Sequence, residues 1–275
     1  MMTKPWKTLQ LNHSRGEQYH ISRAIGNSLF NSEYKIPVTL CFTTAGFTGT
    51  RIIFEDDHLG RLQKGLSYWG LFIKDKERIA RDFELYILQL KDKMNKRAIV
   101  RFKLIVDRSK EMCSFKAEFR EFDGFKVESL VVESLRVDNW RQDVPSFLKV
   151  PHDELTSSFL EQNHHLDEVI VNRENGQLIE ASKSSLVLMD DQGRMVFTKS
   201  PRKLESISEN RLKAFFKDRK IGYCEREVYL GDLSDFEGAW LVNAVRGMRS
   251  ICQINGIKIR QKTPCWFDEW GESFR

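Results

Sequence analysis

Long apolar runs are missing from this 275-residue chain, and no stretch approaches the roughly 20 residues a bilayer crossing needs. Nothing at the N-terminus joins a basic start to an apolar stretch, so no targeting segment is expected. Cysteine is sparse: Cys41, Cys113, Cys224, Cys252 and Cys265 are odd in number, far apart and free of any C-x-x-C pair. That pattern argues against a disulfide framework and reads as buried thiols of a reducing compartment, so a cytoplasmic protein off the membrane is expected. An excess of one charge sign is also lacking: 44 basic against 39 acidic residues leave +5, with both signs scattered throughout. No nucleic-acid partner follows from such a balance. The densest basic run, Lys91 to Arg97, closes a segment of helical period, where cations suit the carbonyl end of the helix dipole.

Several chemistries are absent as motifs. No G-x-G-x-x-G follows a strand and no G-x-x-x-x-G-K-[ST] occurs, which removes the usual nucleotide cradles. No G-x-S-x-G elbow is present to raise a serine nucleophile. His164-His165 is the only histidine pair, but adjacent side chains on one element point apart, and neither H-x-x-x-H nor a cysteine partner is near. No metal site is expected there.

With 41% hydrophobic residues the chain can build a sizeable core, and its length suits two modest domains. Leu59, Leu62, Leu66 and Trp69 recur at three- and four-residue steps behind Glu55-Asp56-Asp57, predicting a helix over about 58–69. A second helical stretch covers Glu77 to Lys93. Val100, Phe102, Leu104 and Val106 then alternate with the two-residue period of a strand, and further strands are expected around Cys113–Phe119 and Val127–Val137. From Asp138 to Pro145 the apolar period lapses in a turn-rich, mostly polar segment, the expected linker, which divides the chain into 1–140 and 141–275.

Beyond it the pattern predicts a short helix after Pro151, a strand at Glu168–Val171, and an Asn175-Gly176 turn into Leu178-Ile179-Glu180. Ser185–Met189 and Arg194–Thr198 flank Asp190-Asp191-Gln192-Gly193 as another strand pair. A helix over about 208–220 is expected to stop at Gly222. The fold class is therefore α+β, without internal repeats. Trp266, Phe267 and Trp270 in the tail are expected to serve core or interface packing.

Two stretches carry a family resemblance. Phe42-Thr43-Thr44-Ala45, then Gly49, Phe54, Asp57-His58-Leu59 and Arg61-Leu62, resembles the class IV aminotransferase pattern F-x-T, glycine, H-L-x-R-L. The F-T-T-A wording is most similar to the aminodeoxychorismate lyases of that family. Leu148-Lys149, Asp167-Glu168, Gly176, Glu180-Ala181-Ser182, Thr198, Pro201, Ile207-Ser208, Asn243-Ala244 and Asn255-Gly256 resemble the family's cofactor-binding half, in order. The resemblance covers about 42–70 and 147–257.

It implies a two-domain fold type IV enzyme with pyridoxal 5'-phosphate at the domain interface, acting on a small amino substrate as a homodimer. That cofactor needs a lysine to hold it as a Schiff base, a partner for its ring nitrogen and a cradle for its phosphate. By resemblance Lys149 is the catalytic, cofactor-bearing lysine. Glu180 faces the pyridine nitrogen and keeps it protonated. Arg61 supplies a planar fork for the phosphate, Ile207 and Ser208 add backbone N–H groups at a helix start, and Ala244 stands where the family often has a hydroxyl residue. Gly46 replaces the basic residue that often follows F-T-T-A, and Asp107-Arg108-Ser109-Lys110 stands where lyases carry a glycine-rich loop. The group that holds the cofactor's phenolic oxygen is open, with His152 as one candidate.

The implied activity is that of an aminodeoxychorismate lyase, eliminating pyruvate to leave 4-aminobenzoate for folate biosynthesis. The alternatives are a class IV aminotransferase acting on branched-chain or D-amino acids, and a degenerate homologue without catalysis.

Overall fold

The computed structural model describes residues 5–9, 19–20, 38–69, 73–107, 112–122, 129–151 and 154–274. His152, Asp153 and Arg108-Ser109-Lys110 lie outside the described residues. The chain divides into two compact units, Met1–Gly124 with Phe147–Pro151, and Phe125–Ser146 with His152–Arg275. This grouping differs from a division after residue 140: strand β6 (Leu130–Arg136) pairs in parallel with β13 (Gly247–Ile254) and β7 (Val169–Asn172), all in the second unit.

The first unit is an antiparallel sheet with two helices against one face. Its strands β1 (Lys7–Leu9), β5 (Met112–Glu121), β4 (Ala98–Asp107) and β3 (Val38–Phe47) lie in that order, and β2 (Tyr19–His20) pairs with β5. Period-2 patterning sets the faces. Val100, Phe102, Leu104, Phe115, Ala117 and Phe119 are buried, while Arg101, Lys103, Glu118 and Arg120 on the opposite face stay half-buried. Helix α1 (Glu55–Tyr68) and helix α2 (Ile73–Lys93) cover the apolar face, where Phe83 packs on Phe102 at 4.3 Å and Tyr86 meets Phe115 edge-on at 5.7 Å.

The acidic trio Glu55-Asp56-Asp57 forms the first turn of α1, slightly earlier than the apolar period suggested; Phe54 precedes it in a left-handed conformation. Gly65 is required where α1 crosses β3, because a Cβ there would stand 2.7 Å from Cys41 Sγ. Burial of Cys41 pushes its thiol up to about 12, so it packs as a small apolar group. The expectation of buried thiols is corrected for Cys265, which is exposed, and for Cys224 and Cys252, which are partly so.

The second unit is built on a nine-stranded sheet. β8 (Leu178–Ala181), β9 (Ser185–Met189), β10 (Met195–Thr198), β11 (Tyr223–Arg226), β12 (Gly238–Asn243) and β14 (Ile257–Lys258) complete it in the order β11-β10-β9-β12-β13-β6-β7-β8, with β14 on β13. Every residue of β7, β8, β9 and β10 is buried, which explains their short continuous apolar runs. Two tight turns follow their sequence signals. Gly176 (φ 79°) closes the Asn175-Gly176 turn, and Gly193 (φ 76°) closes a turn in which Asp190 Oδ1 accepts the N–H groups of Gln192 and Arg194.

Helices α3 (Glu154–Gln162), α4 (Ile207–Asp218) and α5 (Phe267–Glu272) complete the unit. The tail packs as core, as expected from its aromatics: Trp266 meets Phe216 at 4.6 Å, and Trp270 meets Phe215 at 5.4 Å. Helix α4 stops before the expected Gly222. Lys220 (φ 57°) takes the left-handed position, its N–H reaching Lys217 O, while Ile221 N–H reaches Phe216 O at 2.9 Å.

Candidate functional site

In the first unit the expected residues converge on strand β3. Among the described residues β3 is the last strand of its sheet, and its outer edge is covered where Phe42 N–H donates to the main-chain oxygen of Lys149 at 2.9 Å. The backbone of Lys149 is thus held by the sheet, and its half-buried side chain extends so that Nζ lies 5.1 Å from the centre of the Phe42 ring. A cation over an aromatic face at that distance is favoured. The next residue on β3 points to the other face. Thr43 is fully buried, and its Oγ1 lies 2.5 Å from Nδ1 of His58 on α1.

His58 is buried in turn, and Arg61 follows it at the i+3 position that shares a helix face. Burial, then the positive charges of Arg61 and Lys149, hold the His58 imidazole well below the ordinary histidine range. Arg61 and Lys149 are therefore both electrostatic neighbours of one buried, neutral ring.

This has a consequence for acid stability. A native imidazole that stays neutral binds fewer protons than the unfolded chain once pH falls below about 6.5, so stability rises with pH through that window. The unfolding free energy should be flat above about pH 7 and fall by up to about 1.4 kcal/mol per pH unit below 6.5. Urea unfolding of the wild type and His58→Gln across pH 5–8 checks this; a wild-type-minus-variant difference independent of pH would contradict it.

In the second unit Glu180 lies on β8, only 5% exposed. Its Oε1 accepts the indole N–H of Trp140 at 2.9 Å, and the N–H of Leu204 is shared between Oε1 and Oε2 at 3.2 Å each. Burial pushes this carboxyl up; the Trp140 hydrogen bond, the Arg141 charge, the Leu204 N–H and Lys203 oppose that, and the balance stays above the ordinary carboxylate range. Such a carboxylate gains from one more positive donor.

The loop after β10 supplies Leu204. Lys203 Nζ donates to Thr198 O at 2.9 Å and pairs with Glu209 at 2.5 Å, with both side chains at least nine-tenths buried. Ser206 then caps α4, its Oγ accepting Glu209 N–H. Helix geometry leaves the N–H groups of Ile207 and Ser208 without intrahelical acceptors, at the end of α4 that favours an anion.

Ala244 opens the turn between β12 and β13. That turn is fixed by Asn243, whose Oδ1 accepts from Val245 and Arg246 and whose Nδ2 donates to Ser184 Oγ at 2.8 Å. Ser184 donates onward to Glu168, which is paired with Arg249. Arg246 and Arg249 both pair with Asp167.

The structure groups Arg61 and Lys149 in the first unit, and Glu180, Ile207, Ser208 and Ala244 in the second. Sequence reasoning did not single out Trp140, Lys203, Leu204, Ser184 or Arg249. Trp140 alone carried a signal, as a lone tryptophan in a polar, turn-rich stretch. Taken unit by unit, the groups present are of the kinds an anionic cofactor with a cationic ring needs: an arginine and an amine in the first, a buried carboxylate and a capped helix start in the second.

Residues 40–254 match the sequence profile of the family described as Amino-transferase class IV. No curated protein matches the chain. Among solved structures, a branched-chain aminotransferase from Thermoproteus uzoniensis with norvaline is 17% identical, with 88% of this chain and 85% of that one covered and a TM-score of 0.70. A hypothetical aminotransferase from Mycobacterium tuberculosis in its PLP-bound form is 15% identical, covering 85% and 86%, also with a TM-score of 0.70. A candidate 4-amino-4-deoxychorismate lyase from Legionella pneumophila is 13% identical over 84% and 88%, with a TM-score of 0.69. At these identities the likeness is one of fold.

Proposed function

Because the chain belongs to the amino-transferase class IV family, we propose that it is a pyridoxal-phosphate enzyme whose cofactor is carried by Lys149. The observation that carries the cofactor assignment is Glu180, a buried carboxylate with an acceptor position left open. Glu180 would hold the ring nitrogen, Arg61 and the Ile207 and Ser208 N–H groups would hold the phosphate, and Ala244 would line the phosphate end without adding a hydroxyl. When bound, pyridoxal phosphate supplies an electron-accepting ring that stabilises negative charge on the atoms next to the substrate nitrogen. Lys149 would hold the cofactor through Nζ and would serve as the base and acid that moves the proton.

For the reaction itself we infer a lyase of the aminodeoxychorismate type, in which pyruvate leaves and 4-aminobenzoate remains, placing the enzyme in folate biosynthesis. Phe42-Thr43-Thr44-Ala45, whose wording is most similar to the lyases of the family, and Asn243-Ala244-Val245 support this reading. Transamination of branched-chain or D-amino acids is the second reading, favoured by Gly46, which leaves the strand without the basic residue expected after F-T-T-A. The working form is expected to be a cytoplasmic homodimer.

The test is direct. Purified protein should be yellow, and borohydride should fix the cofactor to the peptide containing Lys149. Incubation with aminodeoxychorismate should release 4-aminobenzoate. Amino-group exchange between amino acids and 2-oxoglutarate without that release would replace the lyase by the transaminase. Colourless protein that stays so in excess cofactor would end both readings.

A further inference from the structure

Trp140 lies in the turn-rich stretch that follows β6. Its ring is 3% exposed and packs with Val137, Val171 and Ile179, so the indole is fixed by core contacts. Its N–H is the shorter of the two bonds to Glu180, and it goes to Oε1 alone. The following residue, Arg141, holds a left-handed conformation (φ 47°) although buried, and its guanidinium donates to Pro145 O at 2.8 Å. A bulky residue in that region costs energy, and such positions gather where surrounding structure fixes a functional geometry.

An ionised carboxylate offers about four acceptor positions. On Glu180, Oε1 takes a full bond from Trp140 and a share of Leu204 N–H, whereas Oε2 has only the other share. The two oxygens are thus unequal, and Oε2 keeps the room for a further donor. Resting on the reading of Glu180 as the partner of the cofactor's ring nitrogen, we propose that Trp140 is a positioning residue: it saturates Oε1 and turns Oε2 toward the ring N–H. Leu204 is the second half of the same clamp, held in register by the buried Lys203–Glu209 pair. Donors to the charged form also favour the ionised carboxylate that a protonated ring nitrogen requires.

Two ligands isolate this role: pyridoxal phosphate, and its deaza analogue with C–H in place of the ring nitrogen. Equilibrium dialysis gives the dissociation constant of each for wild type, Trp140→Phe, Glu180→Gln and the double variant. Trp140→Phe keeps the ring but loses the donor. It is expected to weaken pyridoxal phosphate by about tenfold or more, the usual worth of a hydrogen bond to a charged group, and the analogue by less than about twofold. In the Glu180→Gln background the same change should add little. Lys203→Met, which frees the Leu204 loop without touching the indole, should show the same ligand preference to a smaller degree.

Equal weakening of both ligands would make Trp140 a packing residue and overturn the proposal, as would no weakening of either. If the wild type binds both ligands equally, the assignment of Glu180 falls and the clamp with it. If it binds neither, the cofactor reading itself fails.

Discussion

Lys149→Ala should lower turnover by about 10²–10⁴-fold while leaving the folded protein nearly as stable as wild type. The two halves of that expectation come from different atoms of one residue. What ties Lys149 to the first unit is its main-chain oxygen, which accepts Phe42 N–H and survives any side-chain change. The side chain adds a cation over the Phe42 ring at 5.1 Å, a contact worth about 0.5–1 kcal/mol at a partly exposed site. On the proposed reading the chemistry rests on Nζ. Removing it would take away both the attachment point and the proton carrier, so the loss should fall in kcat, and millimolar methylamine or ethylamine should restore part of it. Lys149→Arg keeps the charge over Phe42 but cannot serve as a neutral amine, so its turnover should be as low as that of alanine. If Lys149→Ala retains even a tenth of the wild-type rate, another group performs the proton transfer.

The candidate site residues came from family wording, and local signals marked only the elements that carry them. Ile207 and Ser208 sit where Ser206 caps α4, and Glu180 lies on the strand that follows the Asn175-Gly176 turn. For Arg61 and His58 the structure adds how their helix is held: Thr43 and His58 join β3 to α1 through a buried hydrogen bond.

The misses share a physical cause, which is tertiary contact overriding local composition. Asp138–Pro145 reads as a linker because it lacks apolar period, yet Trp140 within it packs with Val171 of β7 and Ile179 of β8, and Arg141 is buried beside it. Gly222 looked like the stop of α4, but the chain turns at Lys220, where the full set of reversed carbonyl bonds offsets the cost of a side chain at positive φ. Lys203 reads as one more surface lysine. Only the fold brings Glu209 and Thr198 O to it and removes all three from water.

The largest stability loss is expected from Arg249→Met, about 3–5 kcal/mol, because it leaves a buried carboxylate without its cation. Glu168 is 1% exposed and Arg249 9%. Burial alone would push neighbouring Asp167 up, but Arg246 and Arg249 together hold it below the ordinary carboxylate range. Asp167 keeps Arg246 when Arg249 is lost, whereas among the described ion pairs Glu168 has Arg249 alone. The cost should therefore fall on Glu168, and a second change tests that assignment. Glu168→Gln removes the stranded charge but preserves an oxygen for Ser184 Oγ, so the double variant should regain about half or more of the lost stability. In thermal terms Arg249→Met should melt roughly 10 °C below wild type, with the double variant in between. Function should follow the same order. Glu168 anchors Ser184, Ser184 anchors Asn243, and Asn243 fixes the turn that carries Ala244. Loosening that chain should weaken pyridoxal phosphate in Arg249→Met and restore it partly in the double variant. Independent, additive effects of the two substitutions on melting would show that Glu168 draws its compensation from elsewhere.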